Sequence, residues 1–110
     1  MRIKEREEDF IVEEEAFLPL AADGKYVICR VRKKGISTLE VQERLSSILG
    51  IPQSRISFPA LKDKDAVAIQ HASIEGEVPH KLRGRGFELE VLGRARRHLK
   101  PGDLRRNRFR

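Results

Sequence analysis

Tryptophan is absent, cysteine occurs once, and the aromatic residues amount to five Phe and one Tyr in 110 residues. The lone thiol, Cys29, excludes an internal disulfide and fits a reducing compartment, so a cytoplasmic protein is expected. No apolar run approaches the roughly 18 residues of a membrane helix, and the charged N-terminus lacks the apolar core of a signal peptide. Neither a membrane partner nor secretion is expected. Nucleotide loops are missing as well: there is no G-x-x-x-x-G-K-[ST] pattern, and Gly84-Arg85-Gly86 has no third glycine in register. His71, His80 and His98 have no His or Cys neighbour at ligand spacing, so no metal is expected and each reads as surface or strand filler. Asp63 and Asp65 could open a calcium loop, but the sixth position, where glycine is required, is Ala68.

What the chain has in abundance is charge. Charged residues make up 36% of the chain, against a usual value of about 25%, and the formal net charge is +6. The excess is uneven. Residues 1–15 carry three bases against seven acids, whereas residues 81–110 carry eleven bases, nine of them Arg, against three acids. A polycationic third of this kind attracts a phosphodiester backbone through counterion release, and Arg can grip phosphate with its planar fork. The alternative is a generic basic surface of the sort dense ion pairing produces.

Periodicity gives a mixed α/β reading of the α+β type, a mainly antiparallel sheet with one well-defined helix in a single domain over 1–110. Ser37 followed by Glu40 is a capping box, and Val41, Leu45, Ile48 and Leu49 recur on one helical face before Gly50 and Pro52. The spacing predicts a helix over Thr38 to Leu49. Strands are expected at Phe10 to Val12, Tyr26 to Val31, Ile56 to Phe58, Ala66 to Ile74 and Phe87 to Leu92. Asp23-Gly24 supplies positive φ for a hairpin joining the first two, Pro101-Gly102 marks a turn, and Asn107 to Arg110 begins another strand. Phe10, Val12, Val27, Leu45 and Val67 are the expected core.

One stretch, Lys62-Asp63-Lys64-Asp65 ahead of Ala66-Val67-Ala68-Ile69, packs four charges against a small apolar run. It reads either as a solvated turn or as a carboxylate at the mouth of a site. Three segments taken together, Ile3 to Glu13, Ser57 to Gln70 and Gly102 to Arg110, resemble the TruD family of tRNA pseudouridine synthases. The family usually has Gly where Ala60 stands, Thr at Ala68 and often Gly at Arg106. Family members run far beyond Arg110, so the chain resembles an N-terminal part of their catalytic domain.

The resemblance implies an isomerase that converts uridine to pseudouridine in tRNA and requires no cofactor. It implies Asp63 as nucleophile, attacking the sugar C1′ or the base C6, with Phe109 stacking on the extruded uracil and Asn107 and Lys4 as substrate-binding residues near the carboxylate. Lys62, Lys64, Arg96, Arg97 and Arg105 would meet RNA phosphates. The alternative is a non-catalytic RNA-binding fragment that uses the basic C-terminal third.

Overall fold

The computed structural model describes residues 11–62, 64 and 67–109. A chain so rich in alternating apolar and charged residues forms a sheet with its main core on one face and, on the other, charged side chains beside a small buried cluster of Ile28, Ala95 and Leu99. The strands are β1 (Ile11–Ala16), β2 (Tyr26–Lys33), β3 (Ile56–Ser57), β4 (Val67–Glu75), β5 (Lys81–Gly84), β6 (Phe87–Ala95) and β7 (Leu104–Phe109), with one helix, α1 (Thr38–Leu49). Short 3-10 turns precede β3 and β7. The strand order is β5-β6-β2-β4-β1-β7, and β3 pairs with the far end of β4. Only β1 and β4 run parallel among the described strands.

The expected hairpin between the first two strands does not form. β4 lies between β1 and β2, pairing with β1 in parallel from Ile11↔Val67 and with β2 antiparallel from Lys33↔Ala68. Gly24 serves a different purpose from the one its Asp-Gly context suggests. Its φ is not positive; instead a Cβ there would sit 1.9 Å from the Ala95 carbonyl oxygen, so the close approach of the β1–β2 connection to β6 requires glycine. β1 extends through the acidic run to Ala16, β6 continues to Ala95, and β5 was not anticipated.

α1 has the bounds that its spacing predicts. Ser37 Oγ accepts from Glu40 N at 3.1 Å, Glu40 Oε1 accepts from Ser37 N at 3.0 Å, and Gly50 closes the helix in the left-handed region at φ 68°. Val41 and Leu45 are buried against Val27, Cys29, Val31, Ala72, Ile74 and Leu89. Ile48, expected on this face, is exposed. Val27, Leu45 and Val67 are core residues, Val12 is half-buried, and Phe10 lies outside the described residues.

The opposite face of the sheet accounts for much of the charge. Register sets Arg30 beside Glu90, with an ion pair at 2.7 Å, and Arg83 beside Glu88 at 3.5 Å. Glu15 takes both Arg106, at 2.7 Å, and Arg108. Alternation throws every second side chain to this side, so adjacent strands present stripes of opposite sign.

Candidate active site

Polar side chains inside a buried strand are costly unless bonded, and β4 carries two such residues near its start. Gln70 is fully buried. Its Oε1 accepts from Thr38 Oγ1 at 2.9 Å, and its Nε2 donates to the Ala60 carbonyl at 3.2 Å. Thr38 Oγ1 also accepts from Lys62 N at 2.8 Å. The N-terminus of α1 and the start of β4 thus fix the backbone at Ala60 and Lys62, the residues entering the KDKD stretch.

The other buried polar residue is His71. Pairing of β1 with β4 ends at Glu13↔Ile69, and the His71 N–H just beyond it donates to Glu14 Oε1 at 2.9 Å, while His71 Nδ1 lies 3.1 Å from the same oxygen. His71 is therefore not strand filler. Glu14 is buried, and its Oε2 has no hydrogen-bond partner among the described residues but lies 3.6 Å from Lys62 Nζ. Lys62 Nζ in turn donates to Asn107 Oδ1 at 3.1 Å.

This last bond joins two segments 45 residues apart in sequence. Asn107 stands on β7, where Glu14↔Asn107 and Val12↔Phe109 are paired. Residues two apart on a strand share a face, so Phe109 projects to the side on which Asn107 meets Lys62. The ring is 75% exposed and takes no part in this chain's core. Val12 also pairs with Ala68, so Phe109 lies at the end of the sheet where β4 begins. Lys4 and Asp63 lie outside the described residues.

The remaining expected residues are distributed differently. Lys64 is an exposed turn residue. Lys62 has a side chain only 13% exposed, with its ammonium turned inward. Arg96 makes a forked pair with Asp23 at 3.0 and 3.1 Å, Arg97 one with Asp103 at 2.8 and 2.9 Å, and Arg105 stands 5.7 Å over the Phe17 ring. These three sit toward the other end of the sheet, where Tyr26↔Ala95 and Ala16↔Leu104 lie; Arg105, the nearest along β7, is about 13 Å from Phe109 at ~3.3 Å per residue. The Arg97 fork, and then Lys100 N–H at 2.8 Å, hold the Asp103 carboxyl down to about 2.

Two other features carry less chemistry. A groove of about 600 Å³ on the charged face is lined by Arg30, Arg32 and Arg83 with Glu88 and Glu90, but its ion pairs answer one another. Burial pushes the Cys29 thiol up to about 12, so it stays protonated and is no nucleophile at neutral pH. Among the described residues no cluster of His, Cys, Asp and Glu could hold a metal, and no helix is long and apolar enough to cross a membrane.

Thr38, Gln70, Glu14 and His71 were not anticipated as site residues. The available signal was two adjacent polar residues, Gln70 and His71, in a strand whose other buried residues are apolar apart from Ser73.

Comparison with known proteins gives a consistent result. The family model for tRNA pseudouridine synthase D (TruD) matches residues 1–110. A protein of Archaeoglobus fulgidus named as a tRNA pseudouridine synthase D is 44% identical over 98% of this chain and 27% of its own length. One from Wolinella succinogenes is 36% identical over 92% of this chain and 29% of its own. The crystal structure of a tRNA pseudouridine synthase D from Methanosarcina mazei superposes with a TM-score of 0.85 at 37% identity, covering 94% of this chain and 24% of that one. The chain thus spans about a quarter of the length of the relatives it matches.

Proposed function

The chain belongs to the tRNA pseudouridine synthase D (TruD) family, and from that premise we propose that the whole protein isomerises uridine to pseudouridine in tRNA, with this chain supplying the nucleophile. The observation that carries the proposal is the 3.1 Å bond from Lys62 Nζ to Asn107 Oδ1. It brings the residue beside Asp63 to the strand that presents Phe109.

In the reaction the uridine N1–C1′ bond breaks, the base turns, and a C5–C1′ bond forms. The C5 proton leaves to solvent and N1 acquires one, so no redox equivalent or cofactor is consumed. Asp63 attacks C1′ or C6 and departs when the new bond is made, as a carboxylate can. Phe109 offers its exposed face to a uracil taken out of the helix. Asn107 and Lys4 bind the substrate beside the carboxylate, where a nearby cation favours the ionised form. Lys64, Arg96 and Arg105 meet phosphates, and Arg97, tied to Asp103, braces the turn from which Arg105 emerges.

The test uses the whole protein and a tRNA labelled with tritium at uridine C5. Wild type should release tritium as pseudouridine forms, and Asp63→Ala should release none. Release at the wild-type rate by Asp63→Ala would overturn the assignment. Salt-sensitive RNA binding with no release by either protein would leave a binding module instead.

A further inference from the structure

Glu14 is a buried carboxylate that the proposed chemistry does not use. Removing a carboxylate from water costs several kcal/mol unless it is bonded and paired. Oε1 meets that demand on the β4 side, receiving His71 N–H at 2.9 Å and facing His71 Nδ1 at 3.1 Å. A Glu whose only task was to finish the β1–β4 ladder would need no more. Yet Oε2, buried and without a hydrogen bond among the described residues, faces the Lys62 ammonium at 3.6 Å.

Lys62 is placed accordingly. It is one of two lysines flanking Asp63, but Lys64 is exposed, whereas the Lys62 side chain is 13% exposed and its ammonium lies between Glu14 and Asn107. Its backbone N–H is separately fixed by Thr38. A lysine held at both ends is badly placed to follow a phosphate and well placed to hold the chain at residue 63.

We propose that Glu14 is a positioning residue: anchored by His71, it draws Lys62 inward against Asn107, and Lys62 is a strut for the nucleophile segment rather than a phosphate contact. The proposal rests on the isomerase reading for its kinetic arm but not for its binding arm.

The experiment compares wild type, Glu14→Gln, Lys62→Met and the double variant of the whole protein, using tRNA as substrate. Glu14→Gln keeps an oxygen for His71 N–H and removes the charge facing Lys62. A misplaced nucleophile should lower kcat by about tenfold to a hundredfold while KM stays within about twofold. Because Glu14 acts through Lys62, the double variant should lose no more than Lys62→Met alone. Multiplying losses, or an unchanged kcat in Glu14→Gln, would overturn the proposal. Should Glu14→Gln fail to fold, Lys62→Met decides: a kcat loss supports the strut, and a rise in KM alone overturns it. The binding arm needs no turnover. Removing a phosphate contact lowers the slope of log affinity against log salt by about one, so Lys62→Met should leave that slope unchanged, and a drop of one would overturn the proposal even if no pseudouridine were ever made.

Discussion

Thr38 sets up the most informative test of how the fold holds the chain entering the Lys62 to Asp65 stretch. Its hydroxyl donates to Gln70 Oε1 at 2.9 Å and accepts from Lys62 N at 2.8 Å, and both Thr38 and Gln70 are buried. Thr38→Val keeps the shape and removes both bonds. Each buried group left without its partner costs about 1–3 kcal/mol. If Lys62 N–H recovers a water, the loss is about 1–3 kcal/mol; otherwise it is about 2–6 kcal/mol. Thr38→Ser keeps the hydroxyl and loses one methyl, about 0.8 kcal/mol. The expected stability order is therefore wild type, then Ser, then Val, read from urea midpoints at constant m. Exchange of the Lys62 amide should accelerate in Thr38→Val and not in Thr38→Ser. If burial of the methyl groups mattered more than the hydroxyl, Val would match or exceed wild type and Ser would be the weaker variant; that order, with Lys62 protection intact in Val, would refute the reasoning.

Other outcomes follow from single residues. Phe109→Ala should lower kcat/KM for tRNA by roughly 5- to 150-fold, the equivalent of about 1–3 kcal/mol of base stacking, with little change in melting temperature because the ring is exposed; Phe109→Tyr should restore most of the activity. The Asp103 carboxyl is held down to about 2 by Arg97, so its contribution to stability is complete above the ordinary carboxylate range and lost as pH falls through about 2; Asp103→Asn should flatten the acid limb of a stability profile. Burial lowers the pKa of His98, which lies 2.7 Å from Ser73 Oγ; its neutral form is favoured in the fold, so stability is full above about 6.5 and declines as pH drops below it, a decline that His98→Gln should remove. Ser37→Ala deletes the acceptor for Glu40 N and should cost about 1 kcal/mol in urea unfolding.

The helix was legible because its determinants are local: Ser37, Glu40 and Gly50 cap it, and Val41 and Leu45 mark its buried face. Sheet order was not. Consecutive strands pair in most proteins, yet β4, more than 40 residues further along, enters between β1 and β2, and no feature of Phe10 to Val31 signals this. β5 escaped notice because Lys81 to Gly84 has a single apolar residue; it is held by the turn through Gly86, at φ 87°, and by its pairing with β6. The same division applies to the site. Lys62, Asn107 and Phe109 could be picked out by resemblance, but Glu14 is one of three successive glutamates. Only the end of the β1–β4 ladder decides that this one is buried, and with it that His71 is its partner. The C-terminal bases were legible as charge but not as pairs. Asp23, Asp103, Glu15 and Glu88 answer Arg96, Arg97, Arg106, Arg108 and Arg83, so less of that charge is free for a polyanion than composition implies.

In the proposed reaction one nucleotide is shared by residues from two distant segments. Asp63→Asn in the whole protein, expected not to turn over, can be crystallised with an unmodified tRNA substrate. The expected structure has a single uridine out of the helix, with the side chain at position 63 against its C1′ or C6 and the Phe109 ring stacked on its face. A uridine contacted by only one of the two, or an RNA bound along the Arg96–Arg105 end with no base near either, would contradict it.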